Sequence, residues 1–418
     1  MANTVLIELT ELALDIFGEH IIRLLPVFLL LFLCVRQIRY RRIDISIIAA
    51  LFMILPALSP FLAALVGMNH YTHLNWDLQD NLQLVSRALI LVCFFVSAFC
   101  IGAFFVPIHI KKCTPRKIRI SNNSIFIIFT INFIAVLLFL EQGNIVNSAY
   151  SDFKSQGASP YSSLVNQILN LSIALSFAYL GKGDRKRLIL TFYIILIIFA
   201  LLISRRTLAV GLILLAAYSS QGHKLKLKQI LLLVGSVILL WFIGEARKVG
   251  LISYLSGARL ADTTVLVLHI PGGASNIFVS ILGVLDSFEK GLISGFESFP
   301  IIFWLFGTNE AIIYSNLPYA YNGGMHLATV FYWNFGLLGI LFGGILLGII
   351  SKTVQATLTV KDGSTDGTLR RMLCFAFVLL LPNLIWYHPT GLIKLSIAIL
   401  GSFFFLEQLK KMPKNGHS

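Results

Sequence analysis

Apolar runs of roughly 16 to 26 residues, mostly free of charge, recur along the whole chain, and that is close to the length a helix needs to cross about 30 Å of hydrocarbon. One such run can hide in a large soluble core, but a succession of them cannot. With 57% hydrophobic residues, 12% charged residues and a mean hydropathy of +0.84 over 418 positions, too little polar surface exists to keep such a core in water. The expected solvent is the bilayer. The expected fold is all-α, a polytopic integral membrane protein treated as one membrane domain from 1 to 418.

The formal charge of +14 would point to nucleic acid in a soluble protein, but its placement points elsewhere. The segments Arg36–Asp44, Pro107–Ile120, Gly181–Arg187, Ser219–Lys228, Ser351–Arg371 and Glu407–Ser418 hold 23 of the 33 lysines and arginines and only 5 of the 19 acids. Basic charge concentrated in alternate short loops marks those loops as cytoplasmic. The other side is net acidic. Basic loops beside anionic lipid account for the high pI, so membrane lipids are expected partners and nucleic acid is not.

Hydrophobic length and loop sign together place spans near Ile21–Val35, Ile45–Val66, Arg87–Val106, Ser124–Leu140, Leu164–Leu180, Leu188–Ile203, Thr207–Tyr218, Gln229–Gly244, His326–Ile350, Met372–Trp386 and Gly391–Leu406. This is about eleven transmembrane helices, within a range of 10 to 12, with the carboxyl terminus inside. Thr207–Tyr218 is short for a full crossing and is expected to be tilted, broken or re-entrant. The first 20 residues carry Glu8, Glu11, Asp15 and Glu19 but no lysine or arginine, so they read as an outer-side amphipathic segment and not as a signal peptide. Two connections, Glu141–Ser163 and the larger Glu245–Met325, are too long and too mixed for tight turns, and are the expected working parts.

Of the five cysteines, Cys34, Cys93, Cys100 and Cys374 lie in apolar runs and Cys113 in a basic loop, with no CxxC spacing, which argues against both disulfides and zinc. No P-loop, GxSxG, HExxH or DxD pattern occurs, and no metal site or cofactor is expected.

Three signals could carry chemistry. Within Ile203–Gly211 (ISRRTLAVG), Arg205 and Arg206 stand between two apolar runs on the side where positive charge is scarce. Guanidinium forks match phosphate oxygens bidentately; the alternative is snorkelling to outer headgroups. The large outer loop adds Arg247, Lys248 and Arg259 with Asp262, His269, Asp286, Glu289, Glu297 and Glu310. Arginines there can hold an anionic leaving group and a carboxylate can take a proton from a hydroxyl, against the plainer reading of a solvated loop. The third signal is Tyr321–Gly348, where a glycine-rich outer turn leads into a long span with His326 at its start, a position that suits a general base. The alternative reading makes Gly336, Gly339, Gly343, Gly344 and Gly348 the means of close helix packing, with His326 a polar interface residue.

The SRR turn with Gly211 behind it, the stretch FEKGLISGFESFPIIFWLFG and the run GGMH…FYWNFGLLGILFGGILLG together resemble the Wzy-type O-antigen or oligosaccharide repeat-unit polymerases, in layout over most of the chain and in motif over roughly Ile203–Gly348. O-antigen ligases share the plan. The resemblance implies a multi-pass protein of the bacterial cell inner membrane with residues 245–325 as a large periplasmic loop. It implies a glycosyltransferase that moves a growing glycan from undecaprenyl diphosphate onto a new lipid-linked repeat unit, with a chain-length regulator as a further partner. In that reading Arg205, Arg206, Arg247 and Arg259 hold the diphosphate, and His326, Glu297 or Glu310 deprotonates the acceptor. A ligase acting on lipid A core and a lipid-linked oligosaccharide flippase are the alternatives; a flippase would need two similar halves, and no duplication is present.

Overall fold

The computed structural model describes residues 2–40, 44–58, 60–61, 70–71, 76–77, 81–105, 277–291, 325–359, 365–386, 392–393 and 395–401, with single positions at 130, 134, 170–171, 173–174 and 211. Among these the architecture is helical: α1 (Ala2–Tyr40), α2 (Ile45–Ile54), α3 (Leu82–Phe104), α4 (277–289), α5 (Leu327–Thr359) and α6 (Thr365–Trp386). One departure from an all-α fold is a small antiparallel pair, β1 (His70–Tyr71) with β2 (Trp76–Asp77), in which His70 faces Asp77. Leu82–Phe104, Leu327–Leu358 and Leu369–Trp386 are long and apolar enough to cross a membrane. Most of the other spans drawn from hydropathy lie outside the described residues.

Helix α1 is too long for one crossing, and it is not straight. Its 39 residues would reach about 58 Å as a single rod. Gly18, at φ 69° and ψ 161°, breaks it into two arms. On the first arm Leu6 and Thr10 are buried, Val5, Leu9 and Leu12 form an exposed apolar stripe, and Glu8, Glu11 and Asp15 form an exposed acidic one. Those three faces fit a helix lying along a membrane surface. On the second arm Phe28, Leu31, Phe32 and Val35 are exposed, as are Leu338, Phe342, Leu346 and Ile350 on α5. Rows of large apolar side chains at helical spacing are costly in water and are solvated by acyl chains.

Helix α2 is shorter than the expected span Ile45–Val66. It begins on Asp44, whose carboxylate accepts from Ser46 N–H at 2.8 Å, and ends at Ile54, tightening into a 3-10 turn at Leu55–Leu58. Pro56, in that turn, has no N–H to continue the helical ladder. Ten residues give about 15 Å, half a hydrocarbon layer.

The tightest contact runs between α3 and α5. A Cβ at Gly102 would strike the Ile345 carbonyl, one at Gly344 would meet Ala98 Cβ and Phe95 O at 2.8 Å, and one at Gly348 would strike the Phe99 carbonyl. The register increases together along both chains, so the helices run parallel with their backbones in contact. Gly344 and Gly348 therefore serve helix packing, as small residues do in membranes.

The other glycines of α5 do something different. Gly336 has φ 60° and ψ −147° inside the helical run. A Cβ at Gly339 would strike the Phe331 carbonyl and one at Gly343 would fall on the Phe331 ring. Positions eight and twelve residues apart on a continuous helix are separated by about 12 and 18 Å. The chain therefore folds back at Gly336: a short arm, 327–335, lies against the start of the long arm, 337–359. The expected continuous span His326–Ile350 is corrected to this hairpin, whose short arm carries two of the largest fully buried side chains, Tyr332 and Trp333.

The helix ends sort into two groups. At one, Gln37 and Gln355 side chains accept from the Asp44 and Ile45 N–H groups at 3.3 and 3.0 Å, and the Arg36 guanidinium lies 3.7 Å from the Phe104 ring centre. At the other lie Arg87, Glu289 and the Gly336 turn.

Candidate functional site

The described polar chemistry gathers in two places, one deep and one at the rim. The deep one starts from the broken end of α2. Because Pro56 cannot donate to the Phe52 carbonyl four residues earlier, that oxygen needs another partner. Trp386 Nε1 donates to it at 2.8 Å, with the two rings edge to face at 5.0 Å. The neighbouring Met53 carbonyl receives the His326 ring, Nε2 to oxygen 2.9 Å.

His326 is fully buried and caps the short arm of α5. Ala328 N–H donates to its Nδ1 at 3.1 Å, which makes Nδ1 the acceptor and leaves the proton on Nε2 for Met53. Its own N–H donates to Ser280 Oγ at 3.3 Å, and Ser280 donates in turn to Ile277 O at 2.6 Å, so α4 is tied into the same joint. Ten residues separate His326 from the Gly336 turn, which places it about 15 Å from that turn along the short arm. It is sealed from solvent, and both ring nitrogens are engaged. As placed, the imidazole joins three elements and offers no lone pair to a substrate hydroxyl. His326→Gln, whose amide can still donate to Met53, is expected to keep most activity and melting temperature. His326→Ala leaves the carbonyl and the Ala328 N–H unpaired and should cost about 1 to 3 kcal/mol of stability. Thermal unfolding in detergent reads this: a structural joint predicts a parental melting temperature for the Gln variant and a lowered one for the Ala variant, and equal melting of all three proteins would overturn it.

The rim centres on Arg87, the only charged residue of α3 and 8% exposed. Its guanidinium pairs with the Glu289 carboxylate from α4, whose side chain is about one-third exposed. Lys290 donates to Asp286 at 2.7 Å beside it. Phe288 and Tyr332 meet edge to face at 5.5 Å, and both Tyr332 and Glu11 stand close enough to Arg87 to interact with it electrostatically. A charge buried this far is kept only where its partners offset the loss of water.

His326, through Ser280, and Glu289 thus meet opposite ends of α4. Arg205, Arg206, Arg247, Arg259, Glu297 and Glu310 lie outside the described residues. Arg87 was missed as a site residue, although a lone arginine within an apolar run was a readable signal. Two further buried groups on the short arm, Thr329 Oγ1 and Trp333 Nε1, have no hydrogen-bond partner among the described residues.

The family description O-antigen polysaccharide polymerase Wzy matches residues 7–251, more than half of the chain. The chain belongs to that family. Membership in the Wzy polymerases makes it a multi-pass membrane protein of O-antigen polysaccharide synthesis, in keeping with the three apolar helices. The Wzy match takes in Met53, Arg87, Arg205, Arg206 and Arg247, whereas Glu289 and His326 come from the region that follows it. Neither curated proteins nor solved structures gave a match.

Proposed function

We propose that this Wzy-family protein is a metal-independent glycosyltransferase at the periplasmic face of the bacterial inner membrane, extending O-antigen or capsular polysaccharide. The observation that carries this reading is the family match over residues 7–251. The growing glycan leaves undecaprenyl diphosphate and joins a new lipid-linked repeat unit. The acceptor hydroxyl attacks the anomeric carbon, its proton passes to a carboxylate, and the carbon–oxygen bond to the diphosphate breaks. Direct displacement inverts the anomeric configuration. A diphosphate is already a good leaving group, so the protein needs cationic stabilisation and a base more than an energy source.

In this reading Arg205, Arg206, Arg247 and Arg259 hold the diphosphate, and Glu297 or Glu310 in the large loop takes the proton. His326 positions the short arm of α5, just after that loop, without touching substrate. About eleven spans and a chain-length regulator belong to the same proposal.

Deleting the gene in its host is expected to leave lipid bearing a single repeat unit, seen as loss of the ladder on a polysaccharide gel. Accumulation of full-length polymer on the carrier would instead mark a ligase, and failure of any repeat unit to reach the outer face would mark a flippase.

A further inference from the structure

The Arg87–Glu289 pair is asymmetric. Arg87 is held by α3, the helix locked to α5 by backbone contact, and is buried. Glu289 occupies the last turn of α4, next to the negative end of that helix's dipole, where a carboxylate is disfavoured, and its side chain is about one-third exposed. The cation cannot leave without losing the anions that compensate it, Glu289 in contact and Glu11 nearby, while the Glu289 carboxylate can swing into water at little cost. A guanidinium fork accepts a phosphate in the geometry in which it accepts a carboxylate. The short arm of α5, whose Tyr332 interacts with Arg87, also carries Thr329 Oγ1 and Trp333 Nε1, both buried and without a partner among the described residues.

We propose that Arg87 is an oxyanion-binding residue for the carrier's diphosphate, with Glu289 as a resting counter-ion that the diphosphate displaces. This rests on the lipid-diphosphate reading above and adds a residue that loop arginines alone would not supply. Exchange of one anion for another keeps the buried cation compensated in both states. It also fixes the sign of a mutation: removing the charge of Glu289 removes a competitor.

The test uses the full-length chain in phosphatidylcholine nanodiscs, with sugar-free undecaprenyl diphosphate as probe and inorganic pyrophosphate and phosphatidylglycerol as comparison ligands. Glu289→Gln is expected to bind the probe several-fold tighter than the parent, and Arg87→Lys, which keeps the charge but not the fork, about tenfold more weakly. Tightening for undecaprenyl diphosphate beyond that for phosphatidylglycerol supports the carrier as the source; equal tightening for phosphatidylglycerol overturns that assignment in favour of a general headgroup site. If Glu289→Gln binds no tighter and its melting temperature falls, the pair is only a structural tie and the proposal is overturned. A parent protein that binds no undecaprenyl diphosphate would sink the lipid-diphosphate reading itself, whereas parental binding with unaltered affinity in both variants sinks Arg87's part alone.

Discussion

Gly336→Ala should eliminate polymer and lower the thermal melting temperature, although it adds one methyl group to an apolar segment. The backbone at this position, φ 60° and ψ −147°, lies in a region that side chains with a Cβ rarely adopt. Holding an alanine there costs about 1 to 3 kcal/mol, and the alternative of straightening the chain carries the short arm away from Gly339 and Gly343. Straightening also withdraws His326 from the Met53 carbonyl and Tyr332 from Phe288, so deep joint and rim fail together. Gly401→Ala, where nothing lies within 4 Å of the added atom, is the matched control and should melt with the parent. Scanning fluorimetry of detergent-purified protein and a polysaccharide ladder from the same cells check both expectations. Parental melting and ladder in Gly336→Ala would mean the fold-back is not needed.

Arg206→Ala should also abolish the ladder, for a chemical reason and with membrane levels unchanged. If its fork grips the diphosphate, loss of that contact removes stabilisation from the leaving group as charge develops on it, an effect of about a hundredfold or more for a preorganised donor. Arg206→Lys should recover only a small part, because a point charge cannot hold two oxygens in plane. Neither variant should alter melting as Gly336→Ala does. Normal ladders from both would remove Arg206 from the donor site.

What could be read from the sequence follows which interactions are local. The helix at Leu82–Phe104 was expected from its unbroken hydropathy, starting five residues later than observed, and the amphipathic character of the first arm of α1 from its acidic spacing. The early end of α2 was legible only as one option, because Pro56 removes a donor, yet Pro26 and Pro382 lie inside α1 and α6 without ending them. The fold-back was not. Gly336 is one of several glycines in a run that reads as one long span, and only the approach of Phe331 to Gly339 and Gly343 separates a turn glycine from a packing glycine. The burial of His326 against Met53 and Ser280 depends on the same folding, which local pattern does not show. Arg87 stood at the edge of a span and passed for a boundary marker; its significance comes from Glu289, about two hundred residues away in the chain.

Where α3 and α5 touch through Gly102, Gly344 and Gly348, the two main chains meet with the Ala98 methyl as the side chain against Gly344. Two threaded rods meshed this way cannot slip lengthwise, because a shift of one residue would drive a Cβ such as that of Ala98 or Ile345 into the opposite thread. The pair is therefore a fixed mast. Any stroke the proposed reaction requires must be made by the parts hung from it.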